Sequence, residues 1–389
     1  MMLSERQRAL EELLLAQRSL WHPQPFRELR PVWVDALPGL ADTLISLDDD
    51  ETEWLADDDI AARALLGKHL AGLDALQCLL DLPVCAANPS VPAGNRWAWE
   101  IPGRKRQQIE AFAAAAQTAG QPVLDWCCGK GHLGRLLALN WRLPVTGLER
   151  DQTLCEAGAV LGQRAGVDHR FLAADALLTE AQPQAAQHVV ALHACGHLHR
   201  RVIRQGAMRG VARFDVAPCC YHLGVDGSYQ PFSEGRQLTL THDDARLAVT
   251  ETVTAPARDR RRRDREMAWK LAFDAWRRLV TDGSYRNFKP IPSAWMLGSF
   301  ADFMRWMTAR EGLPDIAGGD LDRFEHQGWI RQREVMRYSI VRHAFRRAVE
   351  VWLALDLAVF LENASYDVRL GVFCPRQLTP RNLLLSARR

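Results

Sequence analysis

The 389-residue chain has no apolar run approaching the roughly 18 residues that a helix needs to cross a bilayer, so no membrane partner is expected. Its first segment, Met1 to Leu20, is charged and amphipathic and has no secretory-signal core. Net charge is also scarce. Lys and Arg number 49 against 47 Asp and Glu, and the resulting +2 creates no bulk attraction for nucleic acid. Internal repeats and low-complexity tracts are missing, which sets aside repeat architectures. Nine cysteines are present without a disulfide-framework spacing. Four of them form two adjacent pairs, Cys127–Cys128 and Cys219–Cys220, and neighbouring cysteines rarely bridge one another. A reduced, soluble, cytoplasmic protein is the expectation.

What is present is a hydrophobic fraction of 48%, enough for a large core and for two or three domains. Charge is unevenly placed: residues 48–59 carry eight acids and residues 258–265 six arginines. Two aspartates interrupt the basic run, and a solvated helix face explains it more simply than a phosphate contact. Residues 1–100 are expected to form a helical N-terminal extension, with breaks around 23–31, 48–59 and 88–94. From Arg104 the pattern changes to a helix over 105–116 and then strands over 123–127, 145–149, 170–174, 188–193 and 214–217. Helices over 133–139, 151–165 and 198–208 fall between them. This alternation predicts a doubly wound α/β core over 101–224, whose ligands sit at the carboxyl ends of the strands. An Arg-rich, largely helical insertion follows over 225–360. Two closing strands, 368–373 and 382–387 within residues 361–389, would complete a seven-stranded, mostly parallel sheet with an antiparallel edge. Two stripes in the insertion, Trp269, Phe273, Trp276, Val280 and Val341, Phe345, Trp352, Leu355, Val359, are read as core packing.

The first strand ends in Asp125 and opens through a glycine loop into a helix, as an α/β protein does where it binds a small cofactor. Gly129 and Gly131 would let the backbone approach a ligand closely. Glu149 ends the second strand, where its carboxylate suits paired ribose hydroxyls. Asp175 follows the third strand, placed to accept from an adenine amino group, and Asp125 suits the amino group of a methionine moiety. Three acids at three successive strand ends favour S-adenosylmethionine, with NAD competing on the same logic. The candidate cofactor residues are therefore Asp125, Cys127, Gly129, Lys130, Gly131, Leu133, Glu149 and Asp175.

A second constellation ends the fourth and fifth strands: His193-Ala-Cys195-Gly-His197 and Pro218-Cys-Cys220-Tyr221-His222. His193, Cys195, Cys220, Tyr221 and His222 are the candidate catalytic residues. Three chemistries fit them. A histidine could take one proton during methyl transfer; a cysteine could attack a pyrimidine ring; or the cluster could ligate zinc. Neither cysteine pair has the C-x₂₋₄-C spacing of a zinc site, so no metal is expected. Some of these cysteines can equally be small buried hydrophobes. His197 and His199 read as structural or surface residues. Arg104-Lys-Arg106 and Arg381 are weaker candidates for an anion contact.

The run Asp125-Trp-Cys-Cys-Gly-Lys-Gly-His-Leu-Gly-Arg135 resembles the first motif of the methyltransferase-like twenty-five family. It also resembles the C-terminal region of the glutathione-transferase-like C-terminal-domain protein. Leu192–His197, Cys219–His222, Lys105–Glu110, Pro231–Ser233 and Thr379–Asn382 are similar to that family's other marks, over roughly residues 100–389. The resemblance implies a Rossmann-like class I methyltransferase fold that binds S-adenosylmethionine. Cys127 departs from the wider superfamily, standing where the E/D-x-G-x-G-x-G loop usually has its first glycine. No N-P-P-Y signature follows the fourth strand, which weakens the case for methylation of a base amino group. The two Cys/His elements are distantly similar to those of a tRNA 2′-O-methyltransferase family. RNA is thus the favoured acceptor, with a protein or small molecule behind it, and a non-catalytic cofactor-binding or zinc-binding protein is the reading from another class.

Overall fold

Seven strands set the frame: β1 Val123–Trp126, β2 Val145–Glu149, β3 His169–Ala173, β4 His188–Cys195, β5 Arg213–Cys219, β6 Asp367–Val372 and β7 Leu383–Arg388. The computed structural model describes residues 1–87, 97–118, 120–178, 182–250 and 257–389. The break expected at 88–94 lies outside the described residues. The sheet order is β3-β2-β1-β4-β5-β7-β6, with β1 to β5 mutually parallel. The chain therefore has the Rossmann-like α/β fold of class I methyltransferases. The antiparallel strand is not at the edge, however. β7 inserts between β5 and β6 and runs against both.

Local sequence explains these elements. β1 and β5 are buried along their whole length, as parallel strands covered on both faces must be. Asp151 caps the helix Gln152–Ala165 by accepting from the amides of Thr153 and Leu154, and Gly166 ends it in the left-handed conformation. Pro218 lies inside β5 although proline cannot donate to a ladder. The ladder is already irregular there. β4 shifts register between Leu192 and Cys195, and it resumes with Cys195 opposite Cys219. That bulge lengthens β4 beyond the predicted strand and turns His193 to a φ of 77°.

The contacts divide the chain into two compact units that cut across the sequence-based boundaries. The core unit comprises Met1–Leu15, Ala75–Val253 and Arg346–Arg389. Its apolar centre includes Phe112, Leu133, Leu137, Val145, Val190 and Phe373. Within it, residues 224–241 are mostly irregular rather than helical. Pro231-Phe-Ser233 is pinned by the buried Asp356, which accepts from the amides of Phe232 and Ser233, from Ser233 Oγ and from the Tyr229 hydroxyl.

The second unit comprises Ala16–Asp74 and Thr254–Phe345, around Trp269, Phe273, Phe300, Phe303, Met307 and Phe324. Its acidic run is helix-capping chemistry: Asp48 forms a capping box with Glu51, and Asp58 caps the next helix. Arg260 of the basic run pairs with Glu53 at 2.7 Å. The second apolar stripe is divided between two helices, because Leu321–His343 ends before Phe345 and Arg346–Asn363 begins after it. Trp276 and Val280, at the end of the first stripe, are only half-buried. Among the described residues no helix is long and apolar enough to cross a membrane.

Candidate cofactor cleft and thiol cluster

A cleft of about 410 Å³ opens at the carboxyl ends of the parallel strands. Cys127, Leu148, Glu149, Arg150, Asp175, Ala176, Leu177, Cys195, His197, Leu198, Leu223 and Gly224 line it. The loop after β1 contributes Cys127 to it, and in that loop Cys127, Gly129 and Gly131 all hold φ near 60°. A left-handed cysteine costs about 1 kcal/mol relative to glycine. This is the backbone requirement that the missing first glycine would have met. Gly129 faces open space, so ligand atoms can come close to it, whereas a Cβ on Gly131 would sit 2.3 Å from His169 Cε1. The second glycine thus serves the protein's own packing. Gly129, Gly131 and Gly134 stand at the G-x-G-x-x-G spacing, so glycine spacing alone does not separate S-adenosylmethionine from NAD.

Glu149 clasps this loop. Its Oε2 accepts from the Gly129 amide at 3.0 Å, and its Oε1 from the amides of Arg150 and Asp151. A carboxylate offers about four acceptor sites, so these bonds leave one for a ligand hydroxyl rather than the pair expected. Asp175, half-buried, accepts from the Leu177 amide at 2.8 Å and borders the cleft. Asp125 is elsewhere. It is 2% exposed beneath the loop and its Oδ2 accepts from the Gly134 amide at 2.9 Å, tying β1 to the helix His132–Trp141. Burial, offset in part by that bond and reinforced by the charge of Glu149, pushes its pKa up to about 7. Lys130 pairs with Glu100 at 2.9 Å, and Leu133 belongs to the hydrophobic core. Of the eight candidate cofactor residues, Cys127, Glu149 and Asp175 line the cleft.

Cys195 links the cleft to a second feature. Its Sγ lies 3.4 Å from Cys219 Sγ, and the Sγ atoms of Cys195, Cys219 and Cys220 all fall within 4.8 Å of one another. Sequence spacing could not disclose this set, because the third thiol comes from a neighbouring strand 24 residues away. The neighbouring thiols of Cys195 and Cys219 hold Cys220 far below the usual thiol range, with His222 and Arg381 adding to the effect. Cys219, beside both other thiols and buried, is held well above that range. Cys127 is pushed up to about 12, by burial first and then by Glu149 and Asp125, so it stays a protonated thiol.

The remaining candidates divide. His193 receives the Gln108 amide at Nε2 (2.7 Å) if the imidazole is neutral, and burial and the charge of Lys105 lower its pKa. His222 packs edge-on against His242 at 5.2 Å, and burial lowers its pKa as well. Its Nδ1 is buried and finds no hydrogen-bond partner among the described residues. Tyr221, a candidate catalytic residue in the sequence, is 1% exposed and packs in the core against His199. His199 is structural, bonding the Ala194 carbonyl at 2.9 Å. Arg104 donates to the Leu378 carbonyl, Arg106 pairs with Glu110, and Arg381 donates to the Val249 carbonyl.

His197 is the cleft residue that sequence reasoning placed elsewhere. Its amide donates to the Leu223 carbonyl at 3.1 Å where the β4 and β5 extensions cross. That crossing demands glycine. A Cβ on Gly196 would lie 2.0 Å from the Leu223 oxygen, and one on Gly224 only 1.8 Å from His197 Cδ2. The first Cys/His motif already contains Gly196 and His197, and extending the second by two residues reaches Gly224.

Residues 104–224 match the family model described as a methyltransferase domain. The glutathione S-transferase C-terminal domain-containing protein homologs of Drosophila pseudoobscura pseudoobscura and Drosophila melanogaster are each 32% identical, over 133 and 145 residues respectively. Each match covers 33% of this chain and 21% of the relative, so the chain spans about a fifth of the length of these curated relatives. Among solved structures, the tRNA (uracil-54, C5)-methyltransferase of Pyrococcus abyssi, in complex with S-adenosyl-L-homocysteine, is 18% identical. That match covers 29% of this chain and 28% of the other at a TM-score of 0.25, too low to carry an argument. The family match makes 104–224 a methyltransferase domain, and S-adenosylmethionine is the donor that such a domain uses.

Proposed function

We propose that this chain transfers the methyl group of S-adenosylmethionine to an RNA acceptor and that it is kin to the methyltransferase-like twenty-five family. The observation that carries the reading is the cleft in which Cys127, Glu149 and Asp175 meet Cys195 at the strand ends of the matched segment. In this reading the free acceptor site of Glu149 takes a ribose hydroxyl and Asp175 the adenine amino group. Gly129 leaves room for the methionine moiety, and Asp125 holds the loop from below. Methyl transfer is an in-line displacement: the acceptor–carbon bond forms as the carbon–sulfur bond breaks, leaving neutral S-adenosylhomocysteine. The chain then has one proton to manage. His222, kept neutral by a lowered pKa and with its Nδ1 unpartnered among the described residues, can take it, whereas His193 can do so only when Gln108 releases its Nε2.

Support for RNA comes from the second unit, where Arg258, Arg261, Arg262 and Arg265 line a cleft with Trp329. Arginines beside a half-buried aromatic suit a phosphate backbone and an unstacked base. The test is tritium transfer from labelled S-adenosylmethionine into fractionated RNA and protein from a strain lacking the gene. Label in RNA, with affinity falling as salt rises, supports the reading. Label confined to protein or small molecules removes the RNA branch, and S-adenosylhomocysteine binding without turnover identifies a binding module.

A further inference from the structure

We infer that Cys195, Cys219 and Cys220 form a binding site for a soft divalent cation, zinc being the fitting ion. The three Sγ atoms lie within 4.8 Å of one another, and Cys195 to Cys219 is 3.4 Å. Zinc–thiolate bonds of about 2.3 Å at tetrahedral angles put neighbouring sulfurs about 3.8 Å apart. The 3.4 Å spacing is just under that value and no pair exceeds 4.8 Å, so modest side-chain rotations place three sulfurs on one ion. Neither cysteine pair has the C-x₂₋₄-C spacing in sequence, but the third thiol arrives across the β4–β5 ladder, with Cys195 in register with Cys219.

The backbone is bent on both sides of the cluster. His193 has a φ of 77° at the β4 bulge, Cys220 has a φ of 45°, and neither is a glycine. Such conformations cost about 1–3 kcal/mol each and persist where surrounding structure demands them. Here both turns serve to bring thiols from two strands to one point. Cys219 is buried while Cys195 and Cys220 are partly open, so a cation can enter and leave. Three protein ligands with a fourth position open make the pattern of an accessible zinc site rather than a closed structural one. Cys195 also lines the cleft, which puts the ion beside that cavity. The site stands independently of methyl transfer, since its test needs no donor.

Full-length protein purified without chelator and analysed by inductively coupled plasma mass spectrometry is expected to carry about one zinc per chain. After chelation, added Co²⁺ should give a thiolate-to-cobalt charge-transfer band. Both signals should vanish in Cys220→Ser and Cys195→Ser and persist in Cys78→Ser, which alters an exposed cysteine outside the cluster. Should the serine variants not fold, the unaltered protein still decides the matter: added Zn²⁺ should protect Cys195 and Cys220 from iodoacetamide. Metal-free protein with no cobalt band overturns the inference. So does alkylation that Zn²⁺ leaves unchanged, or a Cys195–Cys219 disulfide in freshly purified, unoxidised protein.

Discussion

Replacing Asp125 by asparagine should change stability in a way that depends steeply on pH. The carboxyl group is 2% exposed, and burial raises its pKa from 3.8 to about 7. An acid whose folded pKa is raised contributes stability that is intact below its unfolded pKa near 4 and is lost as pH rises through about 7. The rise of about three units, at about 1.36 kcal/mol each, amounts to about 4 kcal/mol above neutrality. Asparagine has nearly the same shape and still offers an oxygen to the Gly134 amide, but it carries no titratable proton. Between about pH 5 and about pH 8, the stability of Asp125→Asn relative to wild type should therefore grow by about 3 kcal/mol, in the direction of a more stable variant. Native-state hydrogen exchange on peptides covering 123–126 and 145–149 reads this core directly, on protein free of cofactor. A difference between the two proteins that does not change with pH would refute a protonated, buried Asp125.

Other perturbations follow from individual contacts. Glu149→Ala removes the acceptor of three loop amides together with the free carboxylate site, and S-adenosylhomocysteine affinity by calorimetry should fall by about a hundredfold or more. A change under threefold would mean that the loop holds its shape unaided. Gly131→Ala, with its Cβ 2.3 Å from His169 and 2.6 Å from Phe171, should lose about 3 kcal/mol or more in urea unfolding. Gly129→Ala meets no atom within 4 Å and should lose only about 1–2 kcal/mol; equal losses would contradict the difference between the two glycines. Asp356→Ala leaves the amides of Phe232 and Ser233, two hydroxyls and the nearby Arg200 without their buried acceptor. It should destabilise the core unit by about 3–5 kcal/mol, seen as early unfolding in urea, and near-wild-type stability would show that solvent can replace the carboxylate.

The strands were legible because each carries its own signal. β2 begins and ends as its β-branched and apolar run predicts, and the others shift by a residue or two at their ends. β4 is the exception, extended by a bulge that no periodicity announces. The acids at the strand ends were visible for the same local reason, but their surroundings were not. Asp125 and Glu149 look alike in sequence, yet one is sealed under the loop and the other borders the cleft. Tyr221 and His197 changed places in a similar way, because the side on which a residue lies depends on how the chain leaves its strand.

The sequence by itself determined the α/β alternation, the glycine loop and its helix, and the order in which chemical groups meet the strand ends. These follow from side-chain periodicity and backbone preference within a few residues. The tertiary structure alone decided what depends on distant partners. It placed β7 between β5 and β6. It split the helical insertion, grouping 254–345 with 16–74 in a unit of their own. It also gathered Cys195, Cys219 and Cys220 into one cluster, since the register-shifted ladder between β4 and β5 brings thiols 24 residues apart to 3.4 Å.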